Sequence, residues 1–195
     1  MKKQRERKME WSIMYKLVDS AQSLALFHQI KESVWTSMGF EMEYAKDGSD
    51  VYLLLSDEDE PGGTFEFTPH EKSSAYLQNL FQDVLTSDMK VVEVDSFAVL
   101  PKFRGKLGRW GVALMIDYAE KHGYTHAVGL ADPAFFQLIN RKYNVRATQV
   151  KEMVFYKGAN AIPTVFHLQE AYLNKDKPEF AWYQELCKQI KVEVS

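Results

Sequence analysis

The chain has 195 residues, 46% of them hydrophobic, which is enough for one proper core and a single domain. A formal net charge of −3 argues against a general nucleic-acid binder, and the single cysteine, Cys187, excludes an internal disulfide framework and fits a reducing, cytoplasmic setting. No apolar run reaches the length of a membrane span, and the basic opening MKKQRERKMEW leads into no apolar segment of a secretory signal, so residues 1–11 read as a solvated basic tail.

Residues 13–18 read as a first strand, and Asp19 or Ser20 caps a helix whose apolar stripe is Leu24, Phe27, Val34 and Met38, with Gly39 as its stop. Residues 51–55 form a short apolar strand. The DEDEPGG stretch at 57–63 turns it back into a second strand at 64–68. Tyr76, Leu77, Leu80, Phe81 and Leu85 fall at helical spacing, giving an amphipathic helix within 73–85. From 91 to 100 the pattern alternates at first, Val92 and Val94 against Glu93 and Asp95. It then becomes continuously apolar, as a strand does when both faces are buried, and Pro101 ends it. A basic, glycine-containing turn at 102–108 leads into a helix from Arg109 through Trp110, Ala113, Leu114 and Tyr118, stopped at Gly123. A small buried strand at 127–130 follows, then a helix from Pro133 through Leu138 and Ile139 to Tyr143, with Asn144 able to take the left-handed conformation that ends it. Strands at 147–156 and 162–168 flank a turn at 157–160, and a last helix at 180–190 places Phe180, Tyr183, Leu186 or Cys187, and Ile190 on one side. Strands alternating with helices after an initial hairpin predict an α/β (α+β) sheet covered on both faces.

A strand, a basic glycine turn and a helix together hold phosphates well. The first helical amides have no internal partners, the helix dipole is positive there, and Lys102, Arg104, Lys106 and Arg109 add full charges. VLPKFRGKLGRWGVALM resembles the pyrophosphate-loop region of the Gcn5-related N-acyltransferase (GNAT) superfamily, with Val99, Pro101, Arg104 and Gly105 in the family's positions. The next glycines, Gly108 and Gly111, fall later than the family's pattern places them, as if the loop carried an extra residue.

An ordered set of further segments resembles the branch of autoinducer synthases and N-acyl amino acid synthases. In HQIKESVWTSMGFEM, Lys31 stands at an arginine position while Val34, Trp35, Gly39 and Phe40 match. VYLLL and GGTFEFTP resemble the next two strands, with Glu66 in place of an arginine. In EVDSFAV, Glu93 and Val99 match and Ser96 stands where arginine is expected; GANAIPTVFHLQEAY resembles the closing strand and turn. The resemblance covers residues 12–172 and leaves 173–195 as a C-terminal helix packing on the same domain.

The resemblance implies a single-domain GNAT-like mixed, strongly twisted sheet, flanked by helices on both faces, whose central strands at 93–100 and 125–130 splay apart to admit a thioester arm. Backbone groups of Phe97, Ala98 and Val99 would hold the pantetheine. Arg104, Gly105, Lys106, Leu107, Gly108 and Arg109 would take the phosphate of coenzyme A or of acyl-carrier-protein phosphopantetheine. Glu93 is the implied base, with Asp95, two residues on and on the same strand face, as a substitute; Lys31 and Trp35 are candidate substrate contacts. Matching KYNV to the family's acid-bearing segment puts Asn140 where a tyrosine usually protonates the departing thiolate, leaving Tyr143 and Tyr156 as substitutes. Glu66 and Ser96 in place of arginines argue against a homoserine lactone product. His122 and His126 straddle Gly123 and share no helix face, so no metal is expected. The expected activity is N-acyl transfer from an acyl-CoA or acyl-carrier-protein thioester to a small-molecule amine, by a monomer or homodimer. The alternatives are a short-chain acetyl-CoA N-acetyltransferase, or a degenerate GNAT-fold protein that binds its ligand without turnover.

Overall fold

A computed structural model describes residues 14–192, with side chains through residue 188; the basic tail at 1–11, the first residue of the expected 13–18 strand and the Ile190 side chain lie outside the described residues. After β1 (Tyr15–Leu17), the helix α1 (Ala21–Ser37) starts on a capping box. The Ser20 hydroxyl accepts from the Ser23 amide while the Ser23 hydroxyl accepts from the Ser20 amide, satisfying two otherwise orphaned donors. β2 (Asp50–Leu55) and β3 (Pro61–Pro69) form the hairpin that DEDEPGG foretells. A short helix α2 (Ala75–Phe81), capped by Ser74, precedes β4 (Val91–Val99). The central helix α3 (Leu107–His122) ends on Gly123 at φ 71°, and β5 (His126–Ala131) follows. Asp132 caps α4 (Pro133–Lys142) by accepting from the amides of Ala134 and Phe135. The chain closes with β6 (Ala147–Gln149), β7 (Val154–Tyr156), β8 (Ala159–Phe166), α5 (Leu168–Asn174) and α6 (Ala181–Val192).

Three features depart from the sequence expectation. The single strand expected over 147–156 is broken into β6 and β7, which both pair with β8 around an irregular stretch near Val150. α3 begins at Leu107, two residues before Arg109, because Leu107 is itself a core residue with no exposed surface. α5 is unforeseen: Leu168, read as the end of a strand, begins a seven-residue helix whose Leu168 and Ala171 pack into the core with α3. Two turns are too short to show a periodic signal.

The described strands form one sheet in the order β1-β2-β3-β4-β5-β8-β6, with β7 also on β8, and every pairing is antiparallel except β4 with β5. Alternation along the strands sends Val51 and Leu53 to α1, and Val91, Val128 and Val165 to α2. The opposite residues, Leu54, Phe67, Val92 and Ala127, join α3, Ile139 of α4, α5 and α6. α3 buries ten of its sixteen residues and is the centre of that core; each large apolar side chain so buried contributes about 1.5–3 kcal/mol. Its Asp117 accepts from Tyr15 and from Tyr183, tying β1 and α6 to the same helix.

The feature that makes a site is the failure of β4 and β5 to stay together. Their parallel pairing covers only Val91, Val92 and Glu93 against His126, Ala127 and Val128. Beyond that point β4 remains paired to β3 as far as Val99, and β5 to β8 as far as Ala131, while the two facing edges separate. A bulge in β4 follows the parting. Thr64 opposes Ala98 and Glu66 opposes Asp95, so Phe65 faces both Ser96 and Phe97. Ser96 takes the extra turn at φ 57°, a left-handed conformation rare for a residue other than glycine. At the fork itself, a Cβ on Gly129 would come within 2.7 Å of the Val94 carbonyl oxygen, so only glycine lets β5 pass there.

Candidate active site

The fork opens a slot of about 480 Å³ lined by the freed edges of β4 and β5. At one mouth lie Arg104, Gly105 and Gly108, at the start of α3. No side chain caps the N-terminus of α3, so its first amides lack a protein partner from a cap. A Cβ on Gly105 or Gly108 would meet nothing within 4 Å, so open space stands over those amides, of the kind a phosphate fills. Gly111, the other glycine of the displaced pattern, serves packing instead: a Cβ there would come within 2.2 Å of the Phe97 ring. The four basic residues of the turn divide. Lys102 and Lys106 form ion pairs with Glu60 and Asp57 of the β2–β3 turn, while Arg104 and Arg109 make no ion pair among the described residues. Leu107 offers only its backbone, its side chain being in the core. Phe97, Ala98 and Val99 line the slot along the free edge of β4. The residues present therefore fit a phosphopantetheine arm, with an anion at the helix start and an extended chain along a strand edge.

Replacing Gly108 by valine tests this mouth directly. The branched side chain would fill the open space above the first turn of α3, while the helix itself gains from losing a glycine. Calorimetric titration with coenzyme A is expected to show affinity at least about tenfold weaker, with no loss of thermal stability; unchanged affinity would place the phosphates elsewhere.

Further along the slot, past the fork, an ionic cluster sits on the α1 side of the sheet. Glu93 and Asp95 both bond the Lys46 ammonium at 2.8 Å. Lys46 comes from the irregular segment between α1 and β2, where no periodicity marks it; nothing in the sequence singles it out. Its own amide donates to Glu66 at 2.8 Å, so the segment is fastened at two points. The second Glu93 oxygen, Oε2, is buried without a well-formed hydrogen bond, with the Ser73 hydroxyl, itself unpartnered, beside it, and Glu93 lines the slot. Burial pushes the Glu93 carboxyl above its ordinary pKa, against the pull of Lys46 and Ser73. Burial works the same way on Asp95, but Lys46, Lys31 and the Ser96 amide overcome it and hold that carboxyl below the usual range. Lys46, desolvated yet surrounded by Asp95, Glu93 and Glu66, is driven firmly to its charged form. Two neighbouring carboxylates thus differ: Asp95 is a fixed charge, and Glu93 has a basic oxygen. A carboxylate so placed can take a proton from a group in the slot.

Lys31, expected to contact substrate, does not line the slot. It is completely buried, donates to the Ser96 hydroxyl at 2.8 Å and lies over the Trp35 ring at 4.0 Å from its centroid. Ser96 in turn donates to Glu66 at 2.6 Å, and Thr64 donates to the Ser96 carbonyl at 2.6 Å. Lys31, Glu66 and Ser96, noted in the sequence as three separate departures from arginine, meet in one buried network beneath the bulge. Trp35 does line the slot, beside Met38 and Phe40. Of the two tyrosines considered as acids, Tyr143 is buried in the core against Trp182, whereas Tyr156 lines the slot with its pKa pushed up by burial to about 12. Asn140 spends its amide on Phe136 and Ala147, holding α4 to β6. His122 stacks on Tyr118, His126 packs against His167, and no group of His, Cys, Asp or Glu among the described residues is disposed to hold a metal ion.

The chain matches the Acetyltransferase (GNAT) family over residues 13–137, more than half its length. This chain belongs to the GNAT family. It is an acyltransferase, and its splayed sheet and open helix start are this GNAT protein's version of the family fold. TofI, crystallised in a ternary complex with an inhibitor and MTA, superposes with a TM-score of 0.65 at 17% identity, over 85% of this chain and 99% of that one. FeeM, an N-acyl amino acid synthase from uncultured soil microbes, does so with 0.62 at 13%, over 80% and 91%. BjaI, a CoA-dependent acyl-homoserine lactone synthase solved with SAM and isopentyl-CoA, gives 0.60 at 13%, over 87% and 81%. No curated protein matches this GNAT chain by sequence. At such identities the likeness is one of fold. No helix among the described residues is long and apolar enough to cross a membrane.

Proposed function

We propose that the protein transfers an acyl group from an acyl-CoA thioester to the nitrogen of a small-molecule amine, with Glu93 as the base. The observation that carries this reading is the Oε2 of Glu93, without a well-formed hydrogen bond, at the fork where β4 and β5 part, in the same slot as the open helix start that suits a phosphate. An ammonium is not a nucleophile, so a proton must leave before the nitrogen can attack the thioester carbonyl. Glu93 takes it, directly or through a water; Asp95 and Lys46 fix Glu93 in place. Free amides on the β4 edge stabilise the carbonyl oxygen as charge develops on it. Tyr156, protonated at neutral pH, is the hydroxyl at hand for the departing thiolate.

Two further observations refine the donor. Val34, Met38 and Leu77 line the slot on the α1–α2 side, apolar surface that an acetyl group would leave uncovered, which favours a longer acyl chain over acetyl. Asp57 and Glu60, with Glu58 and Asp59 between them, stand beside the phosphate turn and neutralise two of its lysines. That acidic rim favours free acyl-CoA over an acidic carrier protein. Release of free thiol from acetyl-, octanoyl- and palmitoyl-CoA, and from octanoyl-carrier protein, across an amine panel tests the whole reading. Turnover with octanoyl- or palmitoyl-CoA above acetyl-CoA is expected. Coenzyme A binding with no release from any donor–amine pair would identify a ligand-binding protein instead.

A further inference from the structure

Resting on the acyl-transfer reading, we infer that the acceptor is a cationic primary amine bearing no carboxylate, an amine of the decarboxylated amino acid type, and not an amino acid. The acceptor must approach Oε2 of Glu93, so the charges around that oxygen decide what it carries. Glu43, Glu93 and Asp95 line this end of the slot, against Lys46 alone. Lys46 is bonded to two of those carboxylates at 2.8 Å. Two further ammonium groups are also engaged: Lys157 pairs with Glu43, and Lys31 is fully buried on the Ser96 hydroxyl and does not itself line the slot. Arg104, which lines the slot and makes no ion pair among the described residues, belongs to the opposite mouth at the start of α3.

A carboxylate on the acceptor would thus enter an acidic end with no ammonium or guanidinium released to meet it. A carboxylate buried without a cationic partner is strongly disfavoured, and like charges at such a site exclude the wrong partner. An ammonium meets the opposite situation. The Glu93 oxygen, on a residue 1% exposed, has no well-formed hydrogen bond and only the neutral Ser73 hydroxyl beside it, which leaves room for a charged donor from the ligand. The step balances simply. The ammonium passes one proton to Glu93, the nitrogen attacks the thioester carbonyl, the C–N bond forms and the C–S bond breaks. The thiolate leaves and is protonated, and one proton goes to solvent, giving amide and coenzyme A.

Matched pairs that differ only in the carboxylate test this: tyramine with tyrosine, phenethylamine with phenylalanine, and putrescine with ornithine. Each is titrated calorimetrically into the protein saturated with coenzyme A, and each is assayed for thiol release from octanoyl-CoA. In at least one pair the carboxylate-free member is expected to bind and react at least tenfold better than its amino acid. Glu43→Gln, which leaves Lys157 without its partner, is expected to narrow that ratio while unpaired amines still react. Amino acids that bind or react as well as their decarboxylated partners overturn the inference and leave acyl transfer standing. If every carboxylate-free amine fails to bind, the inference is overturned as well. Binding of amines without thiol release from any donor overturns acyl transfer while sustaining the charge argument.

Discussion

Replacing Glu93 by glutamine is expected to lower kcat by about 10²–10⁴-fold, the usual share of a positioned general base, and to leave coenzyme A affinity unchanged. The amide keeps the size of the carboxyl group and can still meet Lys46, but its free end no longer accepts a proton. The pH profile gives the stricter reading. The working form of Glu93 is the carboxylate, and burial raises its pKa above the ordinary value of 4.5. Activity in kcat/KM is therefore present above that raised pKa and lost as the pH falls through it, on a limb displaced upward from the normal carboxylate range. Lys46 opposes this displacement, since its ammonium favours the charged form. Lys46→Met should move the limb up by about 1–3 pH units, the span over which a close opposite charge acts. A limb that stays in place in Lys46→Met, or persists in Glu93→Gln, assigns the titration to another group.

Much of this arrangement was legible in the residues, and the illegible part has a physical reason. The strand at 91–100, its stop at Pro101, and the helix ending on Gly123 all carry local signals: alternation, a missing donor, a left-handed glycine. The pairing of Glu93 with Asp95 on one face follows from the two-residue period of a strand, and both reach the same ammonium. Lys46 carries no such signal, because its role depends on an irregular segment folding back across the sheet over a separation of 47 residues to Glu93. The bulge is hidden for a related reason. Ser96 in EVDSFAV looks like any strand serine, and only the folded chain shows that it turns left-handed in a bulge against β3. Lys31 was visible as a helix residue in an arginine position, but its depth was not: i, i+3 and i+4 spacing marks a face, not how far a long side chain reaches beneath a neighbouring strand.

That depth sets the largest expected loss of stability. Lys31→Met removes the ammonium that bonds Ser96 and lies over the Trp35 ring but keeps an unbranched apolar side chain, so the change isolates the charge. Its partners stay behind. Glu66 is fully buried and Asp95 lies close by, and both rely on Lys31 for part of their charge compensation. Removing one member of a buried ionic cluster strands the others, at a cost of about 3–5 kcal/mol. For a domain of this size that lowers the Tm by on the order of 10 °C. The expected consequence extends to binding, because the Ser96 bulge loses a fastening and the fork beside it loosens, weakening coenzyme A affinity together with stability. The double variant Lys31→Met, Glu66→Gln separates the electrostatic share. If the single variant falls because a carboxylate is stranded, neutralising Glu66 recovers part of the loss, and a double-mutant cycle returns a coupling of about 0.5–3 kcal/mol. A single variant within about 1 kcal/mol of the parent would mean that Thr64 and the β3 pairing hold the bulge without Lys31, and the fork would then owe its shape to Ser96 and Gly129 alone.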